Sequence, residues 1–180
     1  MISDSGTTPI LMDLGSLAAS PTAITSRSLA LQVQDTAAEH STMPYRAPEL
    51  FDVKTGTIVD TKVDIWSFGC TLFACLVGKS PFEMRSEETG GSLSICVLSG
   101  DWRFPDEGRS KDKGKGKGQA NGPTSQGEGL GEEGRISDVV KGLVRSCLKV
   151  EPGERPDIDE LIRAIEDIVA GLPEGEDGVF

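Results

Sequence analysis

The sequence predicts a single, mainly α-helical domain with one short strand near its start, and three observations predict it. Apolar residues recur every three and four positions in residues 64–77, 136–148 and 158–169, the spacing that lines one face of a helix. Only residues 8–12 read as a strand, a short apolar run that enters a turn at Asp13-Leu14-Gly15. At 180 residues the chain is long enough for one core and too short for two comfortable ones.

Residues 16–28 that follow the strand are small and hydroxylated, and read as loop. Residues 29–39 are good helix formers and predict one short helix. Pro44 and Pro48 then interrupt any regular element, so an extended loop with a tight turn is expected there. In residues 64–77 the helical spacing runs through Ile65, Phe68, Leu72, Phe73 and Leu76, and Gly78 is the stop. The other faces of this helix are apolar or small as well, which places it inside the domain. Residues 93–98 form a second candidate helix closed by Gly100.

Residues 106–134 hold Lys-Gly repeats and then a Gly/Glu stretch without periodic apolar positions. Such a segment buries too little surface to offset the entropy of ordering it, so a disordered insertion is expected. Helical spacing resumes through Val139, Val140, Leu143 and Val144, and again through Leu161, Ile162, Ile165 and Ile168, with Pro152 and Pro156 between the two helices. The predicted organisation is therefore a folded domain in residues 1–105 and 135–172, interrupted by the insertion at 106–134 and ending in an acidic tail at 173–180.

Charge and cysteine usage narrow the function classes. With 29 acidic and 18 basic residues the net charge is −11, which disfavours a nucleic-acid or anionic-membrane surface. The cysteines Cys70, Cys75, Cys96 and Cys147 lie in apolar company without a C-x-x-C pair, and read as small buried hydrophobes in a reducing compartment. No run of 18 apolar residues predicts a transmembrane segment, and the start of the chain reads neither as a signal peptide nor as a myristoylation site. A cytoplasmic location is the expectation, with membrane association of a complete parent left open.

The chemistry is carried by short motifs in a fixed order. Asp13 is a carboxylate at a strand-to-turn exit, the kind of group that holds magnesium against phosphates during phosphoryl transfer. Alone an Asp-x-Gly triplet signifies a surface turn. After it come Tyr45-Arg46-Ala47-Pro48-Glu49, then Asp64-Ile65-Trp66-Ser67-Phe68-Gly69, then Pro152-Gly153-Glu154-Arg155-Pro156. In order and rough spacing these resemble three late motifs of eukaryotic serine/threonine protein kinases: the end of the activation segment, the central helix of the lower lobe, and the arginine before the last helix. Within kinases the Leu-Met-Asp-Leu-Gly-Ser run, the helix-prone stretch before Thr42 and Tyr45 to Phe51 resemble the Numb-associated kinase family, in its serine/threonine-kinase-16 branch.

That resemblance implies a mainly α fragment of the α+β protein-kinase fold, the C-terminal lobe without the N-terminal lobe and catalytic loop. It implies that Asp13 binds magnesium, that Leu14 fills an apolar slot usually held by Phe, and that Thr42 seats a substrate hydroxyl. It implies an ion pair between Glu49 and Arg155 that ties the activation segment to the lobe, and Asp64 as the anchor that caps the central helix. ATP and Mg²⁺ would serve the complete parent, with protein substrates carrying Ser or Thr as partners. No catalytic residue of the missing loop is present: the only histidine, His40, is followed by Ser41 and Thr42, so His-Arg-Asp does not occur. Binding of ATP by the fragment itself is therefore doubtful, and the fragment alone is expected to be inactive.

Two other patterns fail. Gly129, Gly131 and Gly134 spell G-x-G-x-x-G inside the low-complexity insertion with no strand before them, and Gly78-Lys79-Ser80 lacks the glycine a phosphate-binding loop needs at the position of Phe73. Two alternatives stay open: a non-catalytic, pseudokinase-like binding module, or a truncated gene model. One flank of the central helix is expected to face water, inviting a partner that covers it.

Overall fold

The structure, a computed structural model, describes residues 8, 10, 12, 14–107 and 136–172. Asp13, the predicted disordered insertion from residue 108 onward and the acidic tail lie outside the described residues. Six helices carry the fold: α1 (Arg27–His40), α2 (Lys62–Val77), α3 (Pro81–Thr89), α4 (Leu93–Ser99), α5 (Asp138–Cys147) and α6 (Ile158–Ala170). Two strands of two residues each, β1 (Thr22–Ala23) and β2 (Ile58–Val59), pair antiparallel with Thr22 opposite Val59 and Ala23 opposite Ile58.

The helices begin where local chemistry favours it. Ser26 accepts from the Leu29 amide at the head of α1, Ser80 from the Glu83 amide at the head of α3, and Ser137 from the Val140 amide at the head of α5. Asp157 and Glu160 form a full capping box on α6, each carboxylate accepting from the other residue's amide. Gly78, Gly90 and Gly100 close α2, α3 and α4 in the left-handed region, at φ 90°, 65° and 64°.

The core gathers around α2. Trp66, Cys70 and Phe73 from α2 pack with Phe82 of α3, Cys96 and Val97 of α4, Phe104, and Val144 of α5. Trp66 stacks on Phe82 with ring centroids 5.3 Å apart, and Phe73 meets Phe104 at 5.0 Å. On its other side α2 contributes Ile65 to a second cluster with Leu143, Cys147 and Leu161, which seats α5 and α6. A third, smaller cluster of Ile24, Ala30 and Val53 holds α1 against the loop that carries β2.

Several expectations are corrected. Thr8, Ile10 and Met12 are not in a strand; a strand needs a ladder partner, and the two described strands pair only with each other. Leu14 does not fill an apolar slot but is 55% exposed at the start of a 3-10 turn. Helix α3, unpredicted, begins at a Ser-Pro-x-Glu start in which Ser80 is the cap and Pro81 opens the first turn. The flank of α2 that faces water is small or polar, with Asp64, Thr71 and Cys75 exposed; Leu76 is its one large apolar residue in that state. Cys75 is thus no buried hydrophobe, whereas Cys70, Cys96 and Cys147 are.

Asp106 and Glu107, the first residues of the predicted insertion, lie in a turn and pair with Lys141 and Arg145 of α5. Both cations sit 5.6 Å from the ring centroid of Phe104. Among the described residues no single helix is long and apolar enough to cross a membrane; α2 and α3, bent at 69°, pass such a test only jointly, and together they supply much of the core.

Two outcomes follow from this packing. A Cβ on Gly69 would stand 2.7 Å from the Cys147 Cβ and 3.0 Å from Leu148 Cδ2. Gly69→Ala is therefore expected to lose about 1–3 kcal/mol in denaturant unfolding, despite the better helix propensity of alanine. An unchanged midpoint would show that α2 and α5 do not approach so closely. Burial pushes the Cys147 thiol up to about 11 and the Cys70 thiol higher still. With a thiol reagent at neutral pH, Cys75 should label fast in the native chain, and Cys70, Cys96 and Cys147 only on unfolding.

Candidate functional site

The candidate site is the irregular segment between α1 and α2, and the prolines explain why it is irregular. Pro44 and Pro48 each sit in the first turn of a 3-10 element, Met43–Tyr45 and Pro48–Leu50, where the missing N–H is not needed, and neither turn can lengthen into a helix. Local bonds hold the turns: the Tyr45 amide donates to Thr42 O at 2.9 Å, and the Leu50 amide to Ala47 O at 3.0 Å. Ala47 is fully buried against α2, and the Ser67 hydroxyl donates to Tyr45 O at 3.0 Å, so the segment is fastened across the core helix. Burial raises the Tyr45 hydroxyl above its ordinary pKa, with the Glu83 carboxylate adding to the effect.

Glu49 and Arg155 meet. The guanidinium Nη1 and Nη2 donate to the two Glu49 carboxylate oxygens at 2.7 and 2.8 Å, a bidentate pair between residues 106 positions apart in the chain. The same guanidinium donates to Lys149 O, Val150 O and Lys62 O at 2.8, 3.0 and 2.9 Å. All five N–H donors of Arg155 are thereby used. Its ring-facing side lies 5.0 Å from the Trp66 ring, and the residue is 2% exposed. Lys62 returns the contact, its Nζ donating to Arg155 O at 2.8 Å.

Thr42 is exposed, in the single residue between Ser41, the C-cap of α1, and the 3-10 turn Met43–Tyr45. Asp64 is exposed too, but it is not the cap. Thr61 occupies that place, and Asp60 Oδ1 accepts from the Lys62 amide at 2.9 Å. Asp64, three residues past the cap, accepts no hydrogen bond among the described residues; in the first turn of α2 its charge complements the helix dipole. The position Asp13 was expected to hold lies outside the described residues.

Between α1, the loop at residues 16–22 and the start of α2 lies a cavity of about 500 Å³. Thr22, Gln32, Thr36, Val59, Asp64 and Ser67 are among its walls. Among the described residues that line it, Asp60 and Asp64 are the only carboxylates and there is no lysine or arginine. A polyanionic nucleotide with its magnesium needs cations and convergent carboxylates. The described residues do not supply them, and no three His, Cys, Asp or Glu side chains among them cluster as metal ligands.

Sequence reasoning named Arg46 only as part of a motif and gave Ser41, Ser67 and Lys62 no role. Apart from the bond between Arg46 and the Ser41 hydroxyl, their hydrogen bonds are to backbone carbonyls, which leave no trace in residue type. Lys141 did leave a signal, since a buried lysine within the apolar spacing of α5 needs an anionic partner.

Comparison with known proteins fits this geometry. Residues 11–164 match the family described as the protein kinase domain. The chain is 36% identical to serine/threonine-protein kinase ppk13 of Schizosaccharomyces pombe over 157 residues, 87% of the chain and 38% of that protein. It is 31% identical to human serine/threonine-protein kinase 16 over 165 residues, 92% of the chain and 45% of that protein. With serine/threonine-protein kinase ENV7 of Saccharomyces cerevisiae it shares 28% identity over 89% of the chain and 37% of that protein. The chain thus spans less than half the length of each of these relatives.

The energetic weight of the Glu49–Arg155 pair is testable. Arg155→Ala should lower stability by roughly 3–5 kcal/mol, because it strands three carbonyls and a half-buried carboxylate. Glu49→Gln keeps one acceptor and should lose less. Urea unfolding of both variants checks the order; equal losses would mean that the carbonyl contacts of Arg155 contribute nothing.

Proposed function

The chain belongs to the protein kinase family, in the serine/threonine-protein kinase 16 branch, and from that premise we propose that it is the C-terminal-lobe part of a kinase that phosphorylates protein serine or threonine. The observation that carries the reading is the fastening of residues 42–49. Thr42 is open to solvent at one end, while Glu49 at the other is gripped by Arg155 and the backbone between is tied to α2. A fixed segment of this kind, exposed at Thr42 and Met43 and anchored by the buried residues that follow, suits the docking of an extended peptide whose hydroxyl is to be presented for reaction.

ATP and magnesium belong to the family. In the complete protein Asp13 is the proposed magnesium ligand and Thr42 the residue that seats the acceptor hydroxyl. The base that takes the hydroxyl proton and the cations that hold the phosphates are proposed to come from the part of the protein that the relatives carry and this sequence does not. What these residues do themselves is bind and orient: Glu49 and Arg155 hold the segment, and α2 is the platform under it.

The assay uses the 180-residue chain and the complete parent, each incubated with magnesium, labelled ATP and a generic protein substrate. The parent should label serine and threonine but not tyrosine, and Asp13→Ala should reduce the rate by about 10²–10³-fold or more, the scale for removing one group that stabilises developing charge. The chain alone should transfer nothing above its own Asp13→Ala control. A parent that binds partners but transfers no phosphate would replace this reading with that of a non-catalytic module.

A further inference from the structure

Thr42 stands inside a loop that is closed by a second arginine. Arg46 is 8% exposed, and its guanidinium turns back over the chain that leads into it. Nε donates to Ser41 Oγ at 2.8 Å, and Nη2 donates to Ser41 O at 2.9 Å and to Ala38 O at 3.2 Å. Below it lies the Phe51 ring, whose centroid is 5.1 Å from the guanidinium carbon. The Ser41 hydroxyl and the Ser41 amide both donate to Ala37 O, the amide at 3.0 Å.

These contacts serve two ends at once. The carbonyls of Ala37 and Ala38 belong to the last turn of α1, which lacks intrahelical donors, and Ser41 and Arg46 supply them, with the cation placed where the helix dipole favours it. The same bonds join Ser41 to Arg46 directly and so close a short loop over Thr42, Met43, Pro44 and Tyr45. Within it the Tyr45 amide bonds to Thr42 O and the Arg46 amide to Met43 O, at 2.9 and 3.2 Å. The exposed Thr42 and Met43 are therefore presented from a ring whose two ends are pinned to each other and to α1.

We propose that Ser41 and Arg46 are positioning residues for substrate binding: their side-chain contact fixes the backbone of Thr42 and Met43 on which a peptide hydroxyl is seated. The inference rests on the seating role proposed above for Thr42. Neither residue touches the substrate; each acts through the loop it closes. The fork of a guanidinium is required, since one lysine ammonium cannot bond the hydroxyl and two carbonyls in this arrangement.

The test has one arm that needs no activity. In the 180-residue chain, amide exchange at residues 45 and 46 should accelerate about tenfold in Arg46→Lys, the effect of losing roughly one hydrogen bond. Ser41→Ala should move it in the same direction, Ser41→Thr should restore it by keeping the hydroxyl, and exchange in α2 should stay within about twofold of the unaltered chain. In the complete parent, Ser41→Ala should raise KM for a protein substrate by about tenfold, leave KM for ATP unchanged and be rescued by Ser41→Thr. Unchanged exchange at residues 45 and 46 overturns the inference, as does acceleration that spreads equally through α2, which would mark a merely structural contact. A parent without transferase activity would instead count against the functional reading, and loop exchange would still decide whether Ser41 and Arg46 close the loop.

Discussion

One buried guanidinium organises this molecule. Arg155 has five N–H groups, no acceptor capacity and almost no access to water, so a single unmet donor would leave a charged group partly desolvated and unpaired. Every donor is met, and the acceptors come from three separated parts of the chain: the carboxylate of Glu49, the carbonyl of Lys62 at the head of α2, and the carbonyls of Lys149 and Val150 after α5. Two irregular stretches and the first residue of α2 are thereby brought to one point. Trp66 closes the remaining face, which shields the pair from competing water and connects it to the aromatic core.

The reason arginines do this here, and not hydrophobic side chains, lies in the backbone. Pro44, Pro48, Pro152 and Pro156 keep two connecting stretches out of helix and strand, so their carbonyls lack regular partners while lying close to the core. A hydrophobic residue would seal such a stretch but leave its carbonyls unpaired. A guanidinium can answer several of them in fixed directions. Arg46 repeats the solution on a smaller scale at the end of α1, and Lys62 returns a bond to the carbonyl of Arg155 itself.

This explains which parts of the fold were legible in the sequence. Helices α1, α2, α4, α5 and α6 were recovered to within about two residues at either end, ordinary uncertainty for such boundaries, because their apolar spacing or helix-forming composition is set by residues near in sequence. Helix α3 is illegible although Ser80, Pro81 and Glu83 mark its start, because its apolar residues Phe82 and Met84 are too few to show helical spacing. The short strands were illegible, since two residues leave no alternation to count. Of the candidate site, Glu49 and Arg155 were found through motif order, whereas the cap of α2 was misassigned to Asp64 when Thr61 and Asp60 stand there. Thr42 could be named but not its setting, because the bonds that fix it run from Arg46 to a hydroxyl and to carbonyls that any residue could supply.

The two arginines also imply a division of labour. Arg46 fastens the start of residues 41–49 to α1, and Arg155 fastens the end to α2 and the stretch after α5, so the conformation of this segment is determined within the described residues. No contact in that arrangement calls for a nucleotide. Among the described residues lining the adjoining cavity the charged side chains are the carboxylates of Asp60 and Asp64, which repel phosphate and attract cations. A segment held at both ends by its own bonds has little conformational freedom left to lose when something binds against it. The fastening of residues 41–49 is therefore complete within the described residues, and whatever binds against it meets a backbone already held at both ends.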